Sequence, residues 1–282
     1  MGGAGGLVPP HAVVFFFATK GPGMEFEHIR VSVVNHVGWL EYDRPPINAF
    51  HWEMTEEARL GLDGLIADPE VRVIVVASAL EDHFSVGAEL ATFDGITPGE
   101  MSRWVDLVQG MGLALRNSPK PVLAAIHGLA VGGGLEITLH CDIRFAAADA
   151  RFGQPEINIG FIPPVATTQT LARLLGRSRA IRYLYEGVLI SAPEAQDIGL
   201  VDVLHAPKRL RKEVQLYGET LAQKPPEALE AIRKTITEGM DMPFAEGMAL
   251  EKEWAVRLAG TGNFREGIRA FLEKRDPVWE WE

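Results

Sequence analysis

The sequence predicts an α/β fold followed by a helical region at the C-terminal end of the chain. Short, nearly continuous apolar runs alternate with segments of helical spacing, and from about Lys208 onwards only helical segments follow. Strands that alternate with helices imply a core with parallel strand pairing. An apolar fraction of 47% and a charged fraction of 23% are ordinary for a globular protein, so a chain of 282 residues can bury a large core.

The first predicted elements are a hairpin and a helix. The runs IRVSVV and VGWLEY have strand character and are separated by Asn35 and His36, which favour a turn. The segment RPPINAF ends the second strand. The segment HWEMTEEARLGLDGLIAD then carries apolar residues at helical spacing, such as Met54, Ala58 and Leu62.

Buried strands and further helices follow along the chain. VRVIVVAS and KPVLAAIHG are strand-length apolar runs suited to burial on both faces, and the helical segment PGEMSRWVDLVQGMGLALRNS lies between them. A glycine run opens the helix LEITLHCD, after which IRFAAA is again a strand. Residues 167–186 predict a helix, and SAPEAQDIG predicts a short one with Ser191 as N-cap and Gly199 as C-cap. The run LVDVL closes the β part.

Composition divides the chain into three parts, residues 1–23, 24–205 and 206–282. The first part is rich in glycine and proline, and we expect it to be a disordered extension ahead of a natural start near Met24. A secretory signal would require positive charge before its apolar stretch, where only His11 occurs, and a mitochondrial presequence would require several arginines. The second part is the predicted α/β core, and the third is the predicted helical region.

Charge and cysteine content narrow the class of protein. The net charge of −11 argues against broad nucleic-acid binding, which depends on clustered Lys and Arg. No apolar run approaches the roughly 20 residues that a membrane span requires. Cys141 is the only cysteine, so an intramolecular disulfide is excluded and a reducing compartment is favoured. We therefore expect a cytoplasmic protein that binds neither nucleic acid nor membrane.

The stretch GGGLEIT at residues 132–138 places three glycines directly before Leu135 and Glu136. Such a run is entropically costly, so it indicates unusual backbone dihedrals or a close approach of the backbone to another group. The phosphate-binding template G-x-x-x-x-G-K-[ST] fails, because Gly134 and Leu135 stand where Lys and Ser or Thr are required. Consecutive glycine N–H groups at a helix start are instead suited to stabilising a developing oxyanion.

Other catalytic patterns are not supported by the sequence. The dinucleotide template does not fit the glycine run, and GRSRA fails as a serine-hydrolase elbow because it ends in Ala180. The triplet HCD at residues 140–142 contains metal-ligand types without metal-ligand spacing, so we expect no metal site. His127 lies in an apolar run and is interpreted as a packed histidine rather than a catalytic base.

Three motifs in order carry a family resemblance. FSVGAEL, IHGLAVGGGLEI and FGQPEINIGFIP resemble segments of the enoyl-CoA hydratase/isomerase (crotonase) superfamily, and the resemblance runs from about Met24 to Pro277. It implies a spiral of ββα repeats and a C-terminal helical region used for oligomerisation, with a homotrimer or a hexamer built as a dimer of trimers. It also implies an acyl-CoA thioester substrate and no cofactor, because coenzyme A is part of the substrate.

The resemblance implies a role for each matching residue. The thioester oxygen would accept hydrogen bonds from the N–H groups of Val86 and Gly133, Glu136 would help to activate a water, and Glu156 would hold that water and supply a proton to the α-carbon. In the segment AFLEKRDP, it implies that Phe271 lies near the adenine and Lys274 near a phosphate of CoA, often across a subunit boundary. The other implied substrate contacts are Ala49, Gly87, Ala88 and Pro164.

Simpler interpretations exist for some of these residues. A glutamate in the first turn of a helix, such as Glu136, is favoured by the helix dipole by about 0.3–1 kcal/mol without any catalytic role. The second glutamate, Glu156, in a second matching motif favours catalysis. For Phe271 and Lys274 the simpler interpretation is a solvated helix face, and the resemblance favours the CoA-binding role.

One position departs from the family pattern. Pro164 stands where the hydratases carry a glycine whose N–H helps to position the water, and proline has no N–H. The water could be held by the two glutamates alone, by a shifted amide, or by Thr167 or Thr168. The bulky Phe50, followed by a histidine, could change the acyl preference. We expect hydration of a 2-enoyl-CoA to a 3-hydroxyacyl-CoA, with a double-bond isomerase or a non-catalytic acyl-CoA binder as alternatives.

Overall fold

The structure is a computed structural model that describes residues 26–281, so the extension expected at residues 1–23 lies outside the described part. The described residues form two sheets and ten α-helices. The strands are β1 (Ile29–Val34), β2 (Val37–Tyr42), β3 (Val73–Ser78), β4 (His83–Ser85), β5 (Val122–Ile126), β6 (Leu129–Val131), β7 (Ile143–Ala147), β8 (Arg151–Gly153), β9 (Leu189–Ser191) and β10 (Val203–His205). The helices are α1 (Trp52–Ala67), α2 (Pro98–Arg116), α3 (Gly133–Thr138), α4 (Thr167–Leu175), α5 (Arg177–Glu186), α6 (Ala192–Asp197), α7 (Leu210–Leu221), α8 (Pro226–Gly239), α9 (Phe244–Ala259) and α10 (Gly262–Glu273).

The larger sheet has the strand order β1-β2-β3-β5-β7-β10. β1 and β2 form the predicted antiparallel hairpin, with Asn35 and His36 at positive φ in its turn. All other neighbours in this sheet are parallel. β3 and β5 are buried along their whole length, which explains their continuous apolar sequence, since both faces of a parallel sheet are covered. The predicted α/β class is confirmed.

The smaller sheet has the strand order β4-β6-β8-β9, and each of its strands has three residues. β4, β6 and β8 are parallel, and they follow β3, β5 and β7 respectively along the chain. The carboxyl ends of parallel neighbours meet at one edge of a sheet, where ligands of open α/β sheets bind. The segments that leave β4, β6 and β8 are therefore brought together.

Several elements differ from the sequence prediction. The short strands β4, β6, β8 and β9 were not predicted, and α3 ends at Thr138, before the end of the run LEITLHCD. The helix predicted over residues 167–186 is divided into α4 and α5 by Gly176, whose φ of +78° interrupts the helical backbone. The last strand, β10, is shorter than the run LVDVL. Ser191 caps α6 as predicted, since its side chain accepts the N–H of Glu194 at 3.4 Å, and Gly199 follows the helix at φ +83°.

A buried arginine joins the C-terminal helices to the core. Nε of Arg233, on α8, donates to both carboxylate oxygens of Asp142 at 2.8 and 2.9 Å. Its Nη atoms donate to the carbonyl oxygens of Leu115, Arg116 and Ser118 at 2.5–2.7 Å. The helical region thus packs directly on the loop between α2 and β5. No helix among residues 26–281 is long and apolar enough to cross a membrane.

Candidate active site

One edge of the smaller sheet gathers the three loops that carry the expected site residues. β4 leads into residues 86–88, β6 into the glycine run at 132–134, and β8 into residues 154–156. All three loops contribute to the lining of one cavity of about 210 Å³. The parallel register of the three strands therefore places Glu136 and Glu156 at the same cavity, although two strands, β7 and β8, lie between them in the sequence.

Glycines allow two of these loops to approach each other closely. Gly87 has φ +83°, and a Cβ placed on it would lie 2.7 Å from the backbone nitrogen of Gly133. Gly132 has φ +52°, and a Cβ there would lie 2.8 Å from Oε1 of Glu156. Both distances are shorter than real Cβ contacts, and both φ values disfavour other residues. The glycine run thus brings backbone amides and a carboxyl group to one place, as the sequence indicated.

Two backbone amides at this approach are available to a ligand. The N–H of Gly133 is in the first turn of α3, where helical amides have no intrahelical acceptor. Phe50 forms a parallel bridge with Ala88. The N–H of Phe50 donates to the carbonyl oxygen of Gly87 at 2.7 Å, and the carbonyl oxygen of Phe50 accepts the N–H of Glu89 at 2.8 Å. The N–H of Ala88 itself therefore faces away from Phe50, and it has no acceptor among the described residues.

The expectation that the Val86 amide serves as an oxyanion donor is wrong. The N–H of Val86 donates to the carbonyl oxygen of Ile47 at 3.3 Å, so it is already used within the protein. Ala88, expected only as a substrate contact, carries the free amide of this loop. The sequence motif located the loop correctly, but it could not show which of its amides faces the cavity.

Glu136 is almost completely buried, with 1% of its surface exposed. Its Oε2 atom accepts hydrogen bonds from the N–H of Val165 at 2.8 Å and from the hydroxyl of Thr167 at 2.7 Å. Its Oε1 atom accepts no bond from the described residues, and the side chain lines the cavity. Burial raises the pKa of Glu136 to about 8, with a further rise from Glu156 and opposing effects from the two hydrogen bonds.

Glu156 begins a short 3₁₀ turn and faces the same cavity. Burial raises its pKa to about 7. The amide group of Gln154, a residue with 1% exposure, lies 3.0 and 3.1 Å from the two carboxyl oxygens and donates to them when its nitrogen faces Glu156. Two carboxyl groups in one apolar cavity, both with pKa values near neutrality, can act as acid and base.

Comparison with known proteins identifies the family. The model of the family described as enoyl-CoA hydratase/isomerase matches residues 33–282. The chain belongs to the enoyl-CoA hydratase/isomerase family. It is 32% identical to a crotonyl-CoA hydratase of Syntrophomonas wolfei over 253 residues, covering 89% of this chain and 97% of that one. It is 33% identical to an (E)-benzylidenesuccinyl-CoA hydratase of Thauera aromatica over 254 residues, covering 89% and 98%.

Solved structures share the whole fold. An enoyl-CoA hydratase from Bacillus anthracis superposes with a TM-score of 0.87 at 31% identity, covering 91% of this chain and all of that chain. The α/β core with C-terminal helices described above is therefore the fold of this family.

Beyond the two carboxyl groups, the cavity is lined mainly by apolar side chains. Helices α1 and α2 supply six of the lining residues, and the lining includes no Lys, Arg or His. Trp104 is 2% exposed and makes edge-to-face contacts with Trp52 and Phe93, at centroid distances of 5.3 and 5.5 Å. Other apolar lining residues are Phe50, Met54, Val108, Met111 and Phe161. The sequence indicated only Phe50, because the α2 contribution depends on how that helix packs.

The remaining expected site residues divide into two groups. Pro164 and Ala88 line the cavity, and Gly87 contacts the Gly133 amide, whereas Ala49 is buried without lining the cavity. Phe271 and Lys274 lie at the end of α10 and do not line this cavity within the described chain.

Phe271 is 82% exposed, and neither Phe271 nor Lys274 lines the cavity. Their role in CoA binding therefore stays a prediction. The structure does bear on two other residues that the sequence singled out. His127 is half-buried and bonds to the carbonyl oxygen of Leu80 at 2.6 Å, which fits a packing role. Asp142, of the triplet HCD, is paired with Arg233. The described residues contain no group of three or more His, Cys, Asp or Glu arranged to hold a metal.

Proposed function

We propose that this protein is an enoyl-CoA hydratase, which adds water across the 2,3 double bond of a 2-enoyl-CoA to give a 3-hydroxyacyl-CoA. The observation that carries the proposal is the pair of carboxyl groups, of buried Glu136 and half-buried Glu156, beside the free amides of Ala88 and Gly133. Relatives of similar length that are named hydratases support it.

The proposed reaction begins with polarisation of the thioester. Its oxygen accepts hydrogen bonds from the N–H groups of Ala88 and Gly133, which stabilise the enolate that forms when C3 is attacked. One such donor is worth about 3–4 kcal/mol in a transition state. No cofactor is required by this chemistry, because the thioester itself activates C3.

The two glutamates then move the protons. Glu136 takes a proton from the water as its oxygen bonds to C3, and Glu156 gives a proton to C2, so that both bonds form on one face. One O–H bond of water, the O–H bond of Glu156 and the C2–C3 π bond are lost, while a C–O bond, a C–H bond and an O–H bond on Glu136 form. Transfer of that proton from Glu136 back to Glu156, directly or through solvent, restores the starting state. The form that reacts holds one proton on Glu156 and none on Glu136. Burial opposes this form by raising the pKa of Glu136, and the hydrogen bonds from Val165 and Thr167 favour it.

The water is held by the two carboxyl groups in this proposal. Pro164 lines the cavity but has no N–H to offer. The hydroxyl of Thr167 donates to Glu136, which leaves its proton unavailable to the water. Thr168, the remaining candidate from the sequence, accepts a hydrogen bond from Gln169 at 3.2 Å.

The acyl group is expected to be uncharged and apolar. The wall formed by α1 and α2 offers no cation to a second carboxylate, and an unpaired buried charge costs several kcal/mol. A substrate of the benzylidenesuccinyl type, which carries such a carboxylate, fits this cavity poorly. The cavity of about 210 Å³ exceeds the roughly 150 Å³ that suffices for benzene in an engineered cavity, so groups larger than crotonyl can enter.

A double-bond isomerase is the second candidate, and Pro164 favours it. An isomerase needs proton transfer by one or two carboxyl groups and no bound water, so the missing amide would be harmless. The two activities differ in substrate: an isomerase converts a 3-enoyl-CoA to the conjugated 2-enoyl-CoA, whereas a hydratase consumes the conjugated ester.

We also propose a homo-oligomer, a trimer or a dimer of trimers, in which the C-terminal helices contact neighbouring subunits. Large apolar side chains on α8 and α9 are exposed in the single chain, with Ile236 at 58% and Phe244 at 84%. Such a surface is typical of an interface. Phe271 and Lys274 would then reach the CoA of a neighbouring subunit. A cytoplasmic location is supported by the single buried thiol of Cys141.

The test is the loss of enone absorbance when the purified protein is mixed with crotonyl-CoA or 2-octenoyl-CoA. We expect a fast decay that Glu156→Gln lowers by about 10²–10⁴-fold, the usual contribution of a general acid or base. Binding of a saturated acyl-CoA by the variant is the control. Tight binding with no decay for either ester would contradict hydration, and formation of the enone from a 3-enoyl-CoA would then favour the isomerase.

A further inference from the structure

The turn at residues 164–167 is held from both sides. The carbonyl oxygen of Pro164 accepts from Nε2 of Gln109 at 2.7 Å, and that of Val165 bonds to Nε2 of His140 at 2.9 Å. A carbonyl can only accept, so this nitrogen of His140 carries the proton. Ala166 adopts the left-handed region at φ +57°. The turn is thus fixed by two side chains on other elements before it contacts Glu136.

The same turn presents two donors to one oxygen of Glu136. One is the backbone N–H of Val165, and the other is the hydroxyl of Thr167, which is completely buried. Thr167 does not line the cavity, so it does not reach a substrate there. Its hydroxyl therefore acts on Glu136 alone.

We propose that Thr167 is a positioning residue for Glu136. Its hydroxyl fixes Oε2, turns Oε1 towards the water and stabilises the charged carboxylate, in a site where Pro164 supplies no amide. This inference rests on the proposed hydration, in which Glu136 acts as the base. A hydrogen bond to a charged group corresponds to about a 10- to 100-fold effect on an equilibrium.

Few other charges act on Glu136. Glu156 faces it across the cavity, and its negative charge opposes ionisation of Glu136. His140 contacts the other side of the Val165 peptide and is kept neutral by burial, which lowers its pKa. Tyr42, from β2, also lines the cavity, and burial raises its pKa so that it stays neutral. α1 and α2 contribute no titratable side chain to the lining, so Thr167 is the main side-chain group that favours the ionised form.

The test compares pH profiles of kcat/KM for Thr167→Val, Thr167→Ser and Thr168→Val. The valine variant keeps the shape but loses the hydroxyl, so the pKa of Glu136 rises. Because Glu136 must be ionised, the acid limb should move to higher pH by about one unit and kcat should fall about 10- to 100-fold. KM should change little, since Thr167 does not line the cavity.

The other two variants are controls. Serine keeps the hydroxyl, and Thr168 carries a neighbouring hydroxyl that does not contact Glu136, so both should resemble the wild type. An unshifted acid limb in Thr167→Val, or an equal loss in Thr167→Ser, would overturn the proposal. If the valine variant does not fold, we expect the same shift of the acid limb and the same fall in kcat for Thr167→Ala.

A second measurement does not depend on activity. Infrared difference titration of the protonated carboxyl band, assigned with Glu136→Gln, should show a higher pKa for Glu136 in Thr167→Val than in the wild type. A wild type that hydrates no enoyl-CoA would contradict the proposed function, but the infrared shift would still decide the role of Thr167. Identical titrations of wild type and variant would overturn that role.

Discussion

Single residues at the edge of the smaller sheet determine what the site can do. Gly132 and Gly134 each lie against a group that leaves no room for a side chain, namely the Glu156 carboxyl at 2.8 Å and the Ser85 carbonyl at 2.5 Å from the position of a Cβ. The glycine run therefore serves close packing as well as the donation of the Gly133 amide. This explains why flexible residues directly precede Glu136.

Replacement of Gly132 should show whether catalysis depends on its close contact with Glu156, rather than only on the strain of a side chain at positive φ. We expect Gly132→Ala to push Glu156 away and to lower kcat at least about 100-fold, the order lost when one catalytic group is misplaced. Gly176→Ala is the matched control, because Gly176 also has positive φ, at +78°, but has nothing within 4 Å of a Cβ. Both variants should lose about 1–3 kcal/mol of stability. Equal kcat values in steady-state assays of the two would contradict the role of the contact.

The buried charge of Glu136 should oppose folding at high pH. Its pKa of about 8 in the folded protein lies above the ordinary value of a carboxyl in the unfolded chain, so the folded state binds the proton more tightly. Stability therefore falls as pH rises from about 4.5 to about 8. Gln does not titrate, so urea unfolding should show Glu136→Gln gaining more than about 1 kcal/mol over the wild type between pH 5 and pH 8.

The control for this titration is an exposed carboxyl group. Glu251, on α9, is exposed, and Glu251→Gln should leave the pH dependence of the wild type unchanged. A constant stability difference between Glu136→Gln and the wild type across the range would show that the Glu136 carboxyl is not perturbed by burial.

At the scale of elements, we expect α1 and α2 to decide which acyl groups the proposed hydratase accepts. Apart from Thr55, whose hydroxyl donates to the carbonyl oxygen of His51, their cavity-lining side chains are apolar. Trp104 is held by edge-to-face contacts with Trp52 and Phe93. A long helix with a fixed aromatic residue makes a wall that does not adapt readily to a charged substituent. Selectivity between acyl groups should therefore follow charge rather than length alone.

A pair of substrates with the same five-carbon acyl chain but different charge tests this wall. We expect kcat/KM for glutaconyl-CoA, which ends in a carboxylate, to be at least about 100-fold lower than for its methyl ester, because the charge loses its water without a partner. Steady-state assays at neutral pH measure the ratio. Comparable values for the two esters would show that a cation or solvent reaches the acyl end.

The sequence predicted long elements better than short ones. β3 and β5 were recognisable because their continuous apolar runs are buried on both faces. β4, β6 and β8 have three residues each, too few to show a period, yet they are the strands that bring the site together. The identity of the free amide, Ala88 rather than Val86, depends on the bridge to Phe50, a contact that no local pattern reveals.

At the scale of the whole molecule, Arg233 links the C-terminal helices to the core. It pairs with Asp142 and also donates to three carbonyl groups, two at the end of α2 and one in the loop before β5. Asp142 in turn accepts the N–H of Val122 at 2.8 Å, so the link reaches the larger sheet. The helical region is therefore part of the folded unit, which is consistent with a role in assembly.

Loss of this link should destabilise the whole protein. Arg233→Met leaves a carboxylate and carbonyl groups without their partner, and we expect a loss of about 3–5 kcal/mol. Arg269→Met, on the exposed surface of α10, should change stability by less than about 0.5 kcal/mol. Urea unfolding at one protein concentration compares the two, and a small effect of Arg233→Met would mean that the helices fold separately from the core.

The measurement that most directly tests the central claim is isotope incorporation. Crotonyl-CoA is incubated with the protein in H₂¹⁸O, and the acyl product is analysed by mass spectrometry for wild type and Glu136→Gln. We expect a 3-hydroxyacyl product that carries one ¹⁸O at C3, formed by the wild type and nearly absent with the variant. Unlabelled or unchanged ester from the wild type would contradict the assignment of the Glu136–Glu156 cavity as a hydration site.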